Sequence, residues 1–140
     1  MKVAIGCDHG GIDLKKTVVA VLTELGHAVD DQGCNSTDSV DYPNFARSVS
    51  TLVKEGGCEC GILICGTGIG MSMAATRIHG IRAALCNEMF SAKMSREHND
   101  ANILCLGARV IGPGLAAEIV RTWMTSEFAG GRHQRRIDMF

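Results

Sequence analysis

No stretch of this chain approaches the roughly 18 consecutive apolar residues of a membrane-spanning helix, so no span is expected. Charge of one sign is missing too: 14 Lys and Arg against 15 Asp and Glu leave a net charge of −1. Without a basic field, nucleic acid is not an expected partner. The start, MKVAIGCDHG, turns polar by position 8, too soon for the apolar run of a secretory signal. Repeats and low-complexity stretches are absent, and 140 residues suit one domain, 1–140, with a basic tail from about 130. The chain lacks C-x-x-C spacing: Cys58 and Cys60, in GGCECG, are one residue apart, and no second pair completes a zinc or redox site. No metal is therefore expected. Seven cysteines are nonetheless many. With 46% hydrophobic residues a core is available without a disulfide framework. Cys7, Cys65, Cys86 and Cys105 stand at or near the ends of apolar runs and read as small buried hydrophobes. A reducing cytoplasm is the expected setting.

What is present is alternation. KVAIGC (2–7) reads as a strand, and 12–26 carries Leu14, Val18, Val21, Leu22 and Leu25 at helical spacing before Gly26. A weak strand (27–33) and a polar loop (34–43) precede a helix from about Asn44 to Lys54. GILIC (61–65) is apolar throughout, as in a parallel sheet covered on both faces. A glycine loop and a helix to about Ile78 follow, then a strand (81–86), a helix (88–100), a strand within 101–111 and a helix (115–128). Five strand–helix alternations predict a three-layer α/β/α, Rossmann-like domain around a five-stranded parallel sheet. Ligands of such sheets bind beyond the carboxyl ends of the strands.

The residues after each strand and at the helix ends are therefore the candidates. They are Asp8 and His9, Cys65 and its glycine loop, Arg109, His98 with Asn99 and Asp100, and the tail arginines Arg132, Arg135 and Arg136. Each also has a plain reading. Asp8 can cap the helix starting near Gly11, Asn99 and Asp100 can be turn residues, His98 can sit at a helix end, and the arginines can be a solvated tail. An acid, imidazoles, a thiol, backbone amides and guanidiniums are expected to meet at one edge of the sheet.

Gly66, Gly68 and Gly70 are spaced G-x-G-x-G, not G-x-G-x-x-G, and no G-K-[ST] follows. No acidic residue stands about twenty positions on to hold a ribose. Such a loop still lets successive N–H groups face one ligand, and the next helix adds its positive end. This makes a site for negative charge: a bound phosphate, or an oxyanion formed during reaction. Cys65 opens the loop, and a helix N-terminus favours the thiolate. A thiolate there can attack a carbonyl, given a histidine and a leaving group, or take a proton from carbon beside one.

GCDHGG (6–11), DYP (41–43), ILICGTGIGMSMAA (62–75), GIRAALC (80–86), REHNDANILCLGARVIG (96–112) and GGRHQRR (130–136) occur in that order. Together they resemble the B-type ribose-5-phosphate isomerases, grouped with the galactose-6-phosphate isomerase subunits, over essentially the whole chain. The resemblance implies a five-stranded parallel sheet and a homodimer with shared active sites, able to assemble further as a dimer of dimers. It implies aldose–ketose isomerisation of a sugar phosphate through an enediol, ribose 5-phosphate to ribulose 5-phosphate, without metal or organic cofactor. Carried over by position, Cys65 is the base and Thr67 lies beside it. Gly66, Gly68, Ile69 and Gly70 belong to the enediolate loop. His98 is the ring-opening acid, reaching across with Asn99 from the partner chain. Asp8 bonds sugar hydroxyls, Tyr42 and Asn99 touch substrate, and His9, Arg109, Arg132 and Arg136 hold the phosphate. One branch of the family places a glutamate base just after the loop's last glycine. Met71 stands there, which implies the cysteine branch. Allose 6-phosphate, galactose 6-phosphate or a tetrose phosphate are alternative substrates, and a non-catalytic sugar-phosphate-binding module is the alternative from another class.

Overall fold

The computed structural model describes residues 1–140. Apolar runs form strands and amphipathic stretches form helices, alternating as β1 (Lys2–Cys7), α1 (Ile12–Glu24), β2 (Ala28–Asp31), α2 (Tyr42–Lys54), β3 (Cys60–Cys65) and α3 (Ile69–Thr76). Then come β4 (Ala83–Leu85), α4 (Met89–Glu97), β5 (Ile103–Gly107), α5 (Pro113–Thr125) and a short α6 (Arg132–Ile137). The five strands are parallel, in the order β2-β1-β3-β5-β4. The α/β architecture expected from the alternation is the one found.

Central β3 and β5 are buried along their whole length. They can be apolar on both faces because helices cover both. Leu14, Val18, Val21 and Leu22 of α1 meet Ala92 of α4 and Ala116, Ile119, Val120 and Trp123 of α5 in one core. Ala46 and Val49 of α2 join Met71 and Ala75 of α3 in a second core on the other face. Trp123 is fully buried, and its indole N–H donates to Ser95 Oγ at 3.2 Å.

Several boundaries differ from the sequence reading: α4 ends at Glu97 rather than 100, and α5 runs from Pro113 to Thr125 rather than over 115–128. Helix α2 begins at Tyr42 rather than near Asn44, because Pro43 falls in its first turn, where a missing N–H and a fixed φ suit a helix start. The basic segment after 130 is not a loose tail. It forms α6, entered through Gly130 and Gly131, both at positive φ, and none of its residues is buried.

From β1 the chain steps to β2 on one side, then returns to place β3 on the other. The switch in direction falls between β1 and β3, so the loops after Cys7 and Cys65 open side by side at the carboxyl edge.

Candidate functional site

Cys65 is the last residue of β3, and only 5% of it is exposed. Its Sγ accepts the Gly68 N–H at 3.1 Å. The loop is anchored from β5: Cys65 O accepts the Ala108 N–H and Gly66 O the Arg109 N–H, each at 2.9 Å. The Arg109 side chain thereby lies over Gly66. Gly68 is the position that lets the loop double back. Its φ is +77°, and a Cβ there would stand 2.5 Å from Leu85 Cδ1 and 2.9 Å from the Leu106 carbonyl carbon. Helix α3 starts directly after it, so the amides of its first turn and its positive end lie beside the sulfur.

The other carboxyl-edge candidates gather here. The Tyr42 ring packs on Gly70, where a Cβ would come within 2.6 Å of it. The Thr67 hydroxyl accepts the Ile69 N–H at 3.2 Å and so braces the loop. Asp8 does not cap α1, whose N-cap is Gly11 without a side-chain bond. Its Oδ1 accepts the Gly10 N–H at 2.9 Å. His9 Nδ1 accepts the Val40 N–H at 3.2 Å, which leaves Nε2 as the proton-bearing nitrogen of the neutral ring.

All seven cysteines are free and buried. Burial pushes Cys7 up to about 12 and Cys60 and Cys86 up to about 11. It raises Cys58 and Cys105 as well. Those five remain thiols at neutral pH. Cys58 and Cys60 pack into the cores on opposite faces of the sheet, and no three His, Cys, Asp or Glu side chains converge as metal ligands.

The remaining candidates lie elsewhere, which corrects the expectation that all meet at one edge. Helix α4 runs back against the strand direction, so its C-terminal residue and the turn into β5 stand at the amino edge of the sheet. The six residues of β3, at about 3.3 Å per step, separate the two edges by roughly 17 Å. At the amino edge, His98 C-caps α4 and stacks on His133 with ring centroids 4.2 Å apart and planes 14° from parallel. Asn99 is exposed. Asp100 has a φ of +45°, a strained value for this residue, and two guanidiniums clamp it. Arg82 Nε donates to the carbonyls of Asn99 and Asp100, each at 3.1 Å, and its Nη2 donates to Asp100 O at 2.9 Å. Arg82 and Arg96 also pair with the Asp100 carboxylate at 3.3 and 3.6 Å. Arg132 and Arg136 are exposed on α6 beside this corner. A groove of about 740 Å³ adjoins it, lined in part by Arg82, Asn99, Asp100 and Gln134.

The structure thus gathers Asp8, His9, Tyr42, Cys65, Thr67, Gly66, Gly68, Ile69, Gly70 and Arg109 at one edge and His98, Asn99, Arg132 and Arg136 at the other. Sequence reasoning did not find the Arg82 clamp or the His98–His133 pair. Both are contacts between distant segments, and neither leaves a local pattern in the chain.

A family model described as Ribose/Galactose Isomerase matches residues 3–140. The chain is 49% identical over 137 residues to ribose-5-phosphate isomerase B of Escherichia coli, covering 98% of this chain and 92% of that one. It is 42% identical over 139 residues to D-erythrulose-4-phosphate isomerase of Pectobacterium atrosepticum, covering 99% and 91%. The solved structure of Clostridium thermocellum ribose-5-phosphate isomerase B superposes with a TM-score of 0.98 at 52% identity, covering 99% of this chain and 94% of that one.

Proposed function

The chain belongs to the ribose/galactose isomerase family, and from that premise we propose that it interconverts ribose 5-phosphate and ribulose 5-phosphate, with Cys65 as the base. The observation that carries this reading is the Cys65 sulfur taking an amide hydrogen bond inside a glycine loop at the start of α3. A basic sulfur and a bed of N–H donors in one place suit removal of a carbon-bound proton with stabilisation of the resulting oxyanion.

Ribose 5-phosphate enters as a furanose. His98 gives a proton to the ring oxygen while water takes the proton of the anomeric hydroxyl and returns one to His98; the bond from C1 to the ring oxygen breaks, and C1 becomes an aldehyde. The Cys65 thiolate then takes the C2 proton. The electron pair moves through C1–C2 onto the C1 oxygen, and the enediolate faces the N–H groups of residues 66–70. A proton passes from the C2 hydroxyl to the C1 oxygen, Cys65 returns its proton to C1, and C2 becomes the ketone. Thr67 stands beside the sulfur to hold a hydroxyl. Asp8, Tyr42 and Asn99 contact the sugar, and His9, Arg109, Arg132 and Arg136 hold the phosphate. Acid, base and anion donors are all side chains and backbone amides, so no cofactor enters.

The two edges of one chain are too far apart to act on one pentose. The reading therefore takes the enzyme to be a homodimer in which the His98 corner of one copy meets the Cys65 loop of the other. Exposed Ile69, Met73, Met89 and Phe90, on helices that begin at the carboxyl edge, support burial against a second copy. Seven free thiols fit the reducing cytoplasm.

The test is turnover of ribose 5-phosphate, allose 6-phosphate and erythrose 4-phosphate by the purified protein. The tetrose is included because of the Pectobacterium relative. The highest kcat/KM is expected for ribose 5-phosphate. Preference for another of the three moves the substrate assignment, and no turnover of any overturns the enzymatic reading.

A further inference from the structure

We propose that His133 is a positioning residue: stacked on His98, its ring holds the His98 imidazole in the orientation from which it protonates the ring oxygen of a substrate bound in the partner's site. This rests on the shared-site reading above.

Three observations carry it. First, the stack is close and nearly parallel, at 4.2 Å and 14°. Secondly, no protein group hydrogen-bonds either ring nitrogen of His98, in contrast to His9, whose Nδ1 is held by Val40. At a helix C-cap, with its side chain half-buried, the His98 imidazole would otherwise turn freely about χ2. Face-to-face contact stops the ring from tilting and leaves its edge, where both nitrogens lie, open toward a neighbouring molecule. Thirdly, the stacking partner is tied to the helix that ends in His98: Ala129 N–H donates to Glu97 O at 3.0 Å just before α6 begins, and His133 lies in the first turn of α6. The anchor and the ring it steadies thus move together.

The charge state of His133 suits the task. Loss of hydration, and then the charges of His98, Arg132 and Arg136, hold its pKa below the usual imidazole range. A neutral ring faces His98 and does not oppose the proton that His98 must carry.

His133 also lies between Arg132 and Arg136 in sequence, which suggests the competing role of a phosphate ligand. The two roles separate kinetically. A phosphate ligand acts mainly on KM and is not replaced by an apolar ring. A positioning ring acts on kcat and is replaced by any flat side chain. His133→Ala is expected to lower kcat on ribose 5-phosphate by about tenfold with KM within about twofold, a loss typical of a displaced reacting group. His133→Phe, which keeps a stack and has no nitrogen, is expected to recover most of that loss. The site is half-buried, and unchanged melting temperatures will show that both variants fold.

Mixed dimers place the residue. His133→Ala remixed with Cys65→Ala should yield about a quarter of sites with no lesion. Remixed with His98→Ala it should yield none, because both changes fall on the same half-site. Four results overturn the proposal: His133→Ala within twofold of wild type, a KM effect as large as the kcat effect, His133→Phe as poor as His133→Ala, or recovery against His98→Ala. Failure of the control, Cys65→Ala with His98→Ala, would instead overturn the shared site. The alanine–phenylalanine contrast would still decide the stack.

Discussion

A sulfur that takes a proton from carbon needs negative charge on itself and must share its donors with the oxyanion it creates. In the proposed mechanism one short loop places the Cys65 sulfur among those donors, and this defines what a substitution should do. Cys65→Ser is nearly isosteric and should fold, but an unactivated hydroxyl is a far weaker base, so kcat should fall by roughly 10²–10⁴. Activity within a few-fold of wild type would remove Cys65 from the base role. Alkylation should give the same loss, because burial keeps Cys7, Cys58, Cys60, Cys86 and Cys105 as unreactive thiols, and ribose 5-phosphate should protect. For Arg136 the expected effect is on binding. Arg136→Ala should raise KM about tenfold for the phosphorylated sugar, since a guanidinium fork matches phosphate oxygens. An equal rise for an unphosphorylated sugar would rule out that role. Cys65 was legible in the chain because an apolar run stops at it and glycines follow at once. The position of His98 was not, since a residue at a helix end carries no mark of which sheet edge that end reaches.

Elements set how tightly such a loop can turn. Gly68 and Gly80 both have positive φ, yet only Gly68 is enclosed. Gly80→Ala meets nothing within 4 Å and should cost about 1 kcal/mol of backbone strain. Gly68→Ala adds a clash with Leu85 and with the backbone of Leu106, and should cost at least about 2 kcal/mol more. Urea unfolding of the pair measures the difference, and equal midpoints would show that the loop relaxes at no cost. The longer helices were readable from a buried face that repeats every three to four residues, and the central strands from runs that are apolar throughout. The start of α2 lies two residues before the expected Asn44 because Tyr42 and Pro43, at the end of a polar stretch, form its first turn. Helix α6 was missed because it buries nothing and so has no apolar period to read.

At the scale of the molecule, the strand order was not readable, since an apolar run names no neighbour. Strand length, six residues in β3, sets the two edges roughly 17 Å apart, and this separation is what supports the proposed second copy. Cys65→Ala and His98→Ala, each inactive alone, should regain about a quarter of wild-type sites when their subunits are exchanged. No recovery, with exchange shown independently, would place each site within one chain. The anchoring of α6 has a further consequence. Strands β3 and β5 lie in the middle of the sheet, whereas α6 buries no residue and is joined to α4 by the Ala129–Glu97 hydrogen bond just before it and by the His98–His133 stack. Amide protons of residues 62–65 and 103–107 should therefore exchange only through global unfolding, while those of 132–137 exchange through fraying that leaves the sheet intact. Warming should release the His133 stack and the proposed phosphate ligands Arg132 and Arg136 while α4 and the Cys65 loop are still folded. Turnover would then decline reversibly some degrees below the melting transition, and the midpoint of inactivation would report the grip of the six residues of α6 rather than the stability of the fold.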